Sequence, residues 1–159
     1  MLARLRFSRA AVLFVLGYIV VTILAIALAM SVEAVMQSGY TGKMVLNPAY
    51  IISQRFYPLI NLIVWIPVSW VYFRTRKDDL DLHKEAKTLG IFWLALALLV
   101  DLVGFVLIKN PISLSPYDFY VEQFPWIYLI YAAILLSPIF YAAWRLRSSG
   151  NGSRSREGL

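Results

Sequence analysis

Residues Thr88 to Lys109 read TLGIFWLALALLVDLVGFVLIK, and this stretch decides the fold. At 1.5 Å per residue an α-helix of that length covers roughly 33 Å, enough to cross a hydrocarbon core about 30 Å thick. Near its middle stands one acid, Asp101. A carboxylate at the centre of a membrane helix costs roughly 2.5 to 3.5 kcal/mol, so Asp101 needs a partner, a proton or water.

The chain around this stretch has the same character. Of its 159 residues 60% are hydrophobic, with a mean hydropathy of +0.69. Soluble domains are nearer 45–50% apolar. The sequence therefore reads as an all-α, polytopic membrane protein whose solvent is lipid.

Three further apolar runs flank the first. Residues 11–31 carry no charge and follow a short arm with Arg4, Arg6 and Arg9. A cleaved signal peptide would share the basic arm and an Ala27-Leu28-Ala29 site, but its apolar core runs only about 7–15 residues, so a retained helix is expected. Residues 56–73 form a second span, with Pro58 in its first turn and Pro67 inside, where a kink near Val64–Ile66 is expected. The Thr88 span covers 88–109, and a fourth covers 125–144 between Trp126 and Trp144. One four-helix domain over 1–147 and a disordered Gly/Ser/Arg tail over 148–159 follow.

Between the runs, Glu33–Arg55 is long for a helix connection, and its apolar residues suggest contact with the membrane surface. Arg74–Lys87 is a charged hairpin whose Asp78, Asp79 and Asp81 suit a helix start that continues into the third span. Asn110–Phe124 is a second outer loop rich in tyrosine and phenylalanine.

Charge sets the orientation. Twelve of the fifteen Lys and Arg fall in the arm, the 74–87 hairpin and the stretch from Arg145 to the C-terminus, whereas Lys43, Arg55 and Lys109 fall on the other side. The positive-inside pattern predicts cytoplasmic N- and C-termini in an inner or plasma membrane. The basic residues flank apolar runs, which gives no reason to expect a nucleic-acid partner.

The candidate sites are polar groups at membrane depth. Asp101 lies roughly 12 Å below the outer end of its span. Asn61, Thr22 and Tyr131 fall at similar depth on the other three spans. Asp101 shares a helical stripe with Gly90, Ala97 and Gly104, a small-residue face that lets helices approach. Tyr18, Thr22, Ala25 and Ala29 form a comparable stripe, and so do Asn61, Trp65 and Ser69. Asp101, Asn61, Thr22 and Tyr131 are thus read as one buried belt, either locking the bundle or serving as an ion or ligand site. On the outer face Glu33, Asp118, Glu122 and Tyr120 form a second candidate, a vestibule for a cationic partner.

Missing signatures narrow the function. The chain has no Cys and one His, His83, so thiolate and multi-histidine metal sites are excluded and no cofactor is expected. No phosphate loop and no Ser-His-Asp set is present, which argues against an enzyme. The expected role is a non-enzymatic accessory, assembly or interaction subunit that docks a membrane-protein partner or forms a homo-oligomer. A transporter or channel protomer built on Asp101 is the alternative, and a lipid-modifying enzyme using Asp118 or Glu122 at the outer interface a third.

Overall fold

A computed structural model describes residues 6–42, 46–75, 81–108 and 114–154. Arg76–Leu80, which include Asp78 and Asp79, the expected span end at Lys109-Asn110-Pro111, and tail residues 155–159 lie outside them. Every regular element among the described residues is helical. Four helices are long and apolar enough to cross a membrane: Phe7–Met36, Pro48–Phe73, Leu82–Gly104 and Trp126–Ser148.

The first helix, α1, runs Phe7–Met36, longer at both ends than the apolar run. It closes on Gln37, a left-handed residue whose N–H bonds the Glu33 carbonyl. The second span begins earlier than composition suggested. A short α2, Pro48–Ser53, leads through one 3₁₀ turn at Gln54–Phe56 into α3, Tyr57–Phe73. Asn47 starts it: its side chain accepts from the amides of Ala49 and Tyr50 at 2.7 and 3.3 Å, and Pro48 takes the first helical position. That Asn-Pro pair was the signal, hidden inside what read as a loop.

The helix α4 covers Leu82–Asp101 and, as expected, joins a charged amphipathic start to the third span. At Asp101 it widens into a π-helical segment, Leu102–Leu107, closed by the Ile108 N–H on the Val103 carbonyl. A short α5, Pro116–Tyr120, is capped by Ser115, and α6 runs Trp126–Arg154. Thus α6 enters the tail that composition marked as disordered from residue 148. Once a span has nucleated a helix, each further turn costs little. Both α3 and α6 continue through their internal prolines, Pro67 and Pro138.

Packing follows from aromatic side chains. The rings of Phe14 and Trp65 stack at 5.6 Å, Trp65 and Trp93 meet at 5.1 Å, and Phe73 stacks on Tyr141 at 5.8 Å. These contacts tie α1 to α3, α3 to α4 and α3 to α6. Between helices in lipid there is no hydrophobic drive, so dispersion in such contacts is what holds the bundle. Gly90 marks the closest crossing, since a Cβ there would lie 2.3 Å from the Leu135 carbonyl oxygen of α6.

One end of the bundle is basic. Arg6 and Arg9 donate to the Thr75 hydroxyl, Arg9 also donates to the Val71 carbonyl, and Arg145 donates to the Phe73 carbonyl. Guanidinium groups from α1 and α6 and from the turn before α1 thereby converge on the C-terminal end of α3, where helix carbonyls lack partners.

Candidate functional site

The one acid in the apolar part of the third span-length helix is hydrogen-bonded through both oxygens. Asp101 is 7% exposed. Its Oδ1 accepts from the Tyr18 hydroxyl of α1, and its Oδ2 accepts from the Tyr131 hydroxyl of α6 at 2.8 Å. Three elements, α1, α4 and α6, thus bring two phenols onto one carboxyl group.

Each partner is placed by its helix. Asp101 ends an i, i+4 stripe of α4 made of Glu85, Leu89, Trp93, Ala97 and Asp101, every member buried. Tyr18 follows Gly17, whose missing side chain leaves room for Trp65: a Cβ there would meet that ring at 3.1 Å. The close approach of α1 to α3 keeps Tyr18 beside α4. Tyr131 sits one turn before Leu135, where α6 crosses Gly90.

The rest of the predicted belt is spent locally. The Thr22 hydroxyl donates to the Tyr18 carbonyl of its own helix at 2.8 Å. Asn61 is buried, but its amide donates to the Tyr57 carbonyl and accepts from Trp65 Nε1. Ser69 returns its hydroxyl to the Trp65 carbonyl. Asn61 and Ser69 are buried, yet short side chains in an apolar helix satisfy themselves on the backbone four residues back. Only the long phenols reach across to Asp101. Tyr18, seen in the sequence only as a stripe-mate of Thr22, is the partner missed; its signal is that it is the one long polar side chain on that stripe.

The small-residue face is also partly redrawn. Gly90 and Ala97 are buried against α6, but nothing lies within 4 Å of a Cβ built on Gly104. The π segment adds a residue to the turn after Asp101, so the 3.6-residue period no longer carries Gly104 onto the same face.

The outer-face candidates have separate settings. Both Glu33 oxygens accept from the Ser38 hydroxyl at 2.6 and 2.8 Å, which fixes the chain leaving α1. Asp118 lies in the first turn of α5, its amide bonded to the Ser115 hydroxyl at 3.0 Å. Glu122 is exposed beyond α5. Tyr120 ends α5, and its carbonyl accepts from the Tyr128 hydroxyl at 3.3 Å.

A second buried acid went unread in the charged hairpin. Glu85 is also 7% exposed, and it accepts from the Tyr72 hydroxyl of α3 at 2.9 Å. The Tyr72 oxygen in turn accepts from the Arg6 amide at 3.2 Å. Four turns of α4 separate Glu85 from Asp101, roughly 24 Å along the axis. The side chains between them on that face are Leu89, Trp93 and Ala97, all apolar in bulk and all inaccessible to solvent.

Among the described residues no group of three or more His, Asp or Glu side chains is placed to hold a metal ion. The arrangement defines a membrane-type helical bundle with a phenol-bound acid at one end of α4 and a tyrosine-bound acid at the other. No protein-family model, curated protein or solved structure matches the chain.

Proposed function

We propose that the chain is a non-enzymatic accessory, assembly or interaction subunit of a larger membrane system. In this reading it spans an inner or plasma membrane four times, with both termini cytoplasmic. The observation that carries it is α1. Of its thirty residues only Ala10, Phe14 and Gly17 are fully buried, and Val12, Leu16, Ile19, Ile23, Ile26 and Met30 stand outside the bundle. A helix apolar all round and packed along one narrow stripe leaves a long flank for another membrane helix. The bonding of Asp101 points the same way: both carboxyl oxygens hold the helices together.

The test is affinity purification from native membranes in mild detergent. A stoichiometric membrane-protein partner is expected, together with loss of that partner when Leu16, Ile23 and Met30 on the α1 flank are replaced by bulkier or β-branched residues. Purification of the chain alone at every detergent tried would sink this reading.

The alternative, a small transporter or channel protomer, is favoured by one observation, the bonding of Tyr18 and Tyr131 to a buried acid within an apolar helix. Reconstitution separates the two. Solute or proton flux in liposomes that is lost in Asp101→Asn at unchanged folded yield supports transport.

A further inference from the structure

A groove opens between α3 and α6 near the basic end, lined by Ile66, Pro67, Trp70, Phe140, Tyr141 and Trp144 and enclosing about 530 Å³. We infer that it seats an acyl chain of an anionic phospholipid, with the phosphate on Arg74. The lining offers only apolar surface and aromatic rings. Tyr141, held by its stack on Phe73, forms part of the wall. Trp70, Phe140 and Trp144 are 49, 55 and 65% exposed, so the rim is broad and open on the membrane side. In a bilayer such a concavity fills with hydrocarbon.

The charge at the mouth selects the lipid. The Arg74 guanidinium lies 6.0 Å from the centre of the Trp70 ring, directly on the groove wall. It is exposed and caps α3, so it stands where a headgroup meets the end of the span. Arg145 follows Trp144 on the other rim and, bonded to the Phe73 carbonyl, adds positive potential at the same edge. A guanidinium stacked on an aromatic ring presents its planar fork to phosphate, and basic pockets between membrane helices recognise anionic headgroups in this way. A partner helix on this rim would have to bury that guanidinium, whereas a lipid phosphate leaves it at the interface.

Trp70 and Trp144 supply their own reporter. The full chain is placed in phosphatidylcholine nanodiscs containing either brominated phosphatidylglycerol or brominated phosphatidylcholine, and tryptophan quenching is read. Half-quenching is expected at about fivefold less of the anionic lipid, the preference one surface guanidinium supports. Arg74→Gln, an exposed change, should abolish that preference and leave quenching by phosphatidylcholine unaltered. Ile66→Phe, which fills the groove without touching charge or adding a fluorescent reporter, should also remove the excess quenching. Equal quenching by the two lipids in the parent protein, or an anionic preference that survives either substitution, means ordinary annular contact and overturns the site.

Discussion

Tyr18 donates to Asp101 across a separation of 83 residues, the same separation that joins Trp93 Nε1 to the Ala10 carbonyl. Two bonds with one offset mean that α1 and α4 run parallel in fixed register from Ala10 and Trp93 to Tyr18 and Asp101. The contacts of α1 with α3 run the other way: Arg9 meets Val71, while Phe14, farther along α1, meets Trp65, which precedes Val71. Asp101 is therefore one of the two pins of a ladder, and Trp93 is the other.

If the carboxyl group pins the register, its hydrogen bonds are worth what interhelical bonds in membranes are worth. Tyr131→Phe and Tyr18→Phe should each destabilise the bundle by about 0.6 kcal/mol, and by no more than about 1.7. Each should show a non-additive coupling with Asp101→Ala of similar size, since the pairs share one bond and alanine keeps no acceptor. Reversible unfolding from bicelles with a denaturing detergent measures this. Strict additivity of Tyr131→Phe and Asp101→Ala would show that the bond contributes nothing.

The glycines of α4 should separate cleanly. Gly90→Ala places a methyl group 2.3 Å from the Leu135 carbonyl oxygen, which is backbone and cannot swing away. The helices must part, at a cost of about 1–3 kcal/mol for overpacking. Gly104→Ala meets nothing within 4 Å and should be neutral or slightly stabilising. The sequence placed both residues on one stripe with Asp101. It could not show the π turn, because i→i+5 bonding leaves no periodic mark in so uniformly apolar a run.

Glu85 shows the opposite failure. In the sequence it is one charge among nine in Arg74–Lys87, and nothing in that composition separates a solvated acid from a buried one. Its period does: Glu85 leads Leu89, Trp93, Ala97 and Asp101 at intervals of four. Span number, apolar faces and the inward aim of Asp101 were legible because lipid permits only apolar helices and punishes outward charge. Partner choice was not, because it depends on whether a side chain is long enough to leave its own helix. Glu85→Ala should cost about 1–3 kcal/mol, the penalty for leaving a buried hydroxyl short of its acceptor. Glu85→Gln, which keeps an acceptor for Tyr72, should cost clearly less. Thermal unfolding in detergent, followed by intrinsic fluorescence, distinguishes the two; equal losses would mean that Tyr72 does not use this carboxylate.

The basic end offers the last test, and it bears on how the arm and the tail contribute to the fold. Arg9 and Arg145 reach α3 from different helices and bond two carbonyls of its last turn, Val71 and Phe73, with Arg145 Nη1 at 3.1 Å. Charge-assisted bonds to helix-terminal carbonyls combine a hydrogen bond with a favourable dipole term. Both guanidiniums are half-exposed, so each contribution is reduced by water, to about 1 kcal/mol. Arg9→Gln and Arg145→Gln should each lower stability by that amount. The double substitution should lower it by the sum, because the two side chains hold different carbonyls. Lysine should restore part of the loss at Arg145, and less at Arg9, whose guanidinium spans Val71 and Thr75 together. Raising the salt concentration should shrink both effects if they are electrostatic. Losses of stability indifferent to salt and unrescued by lysine would instead assign these arginines to packing of their aliphatic stems.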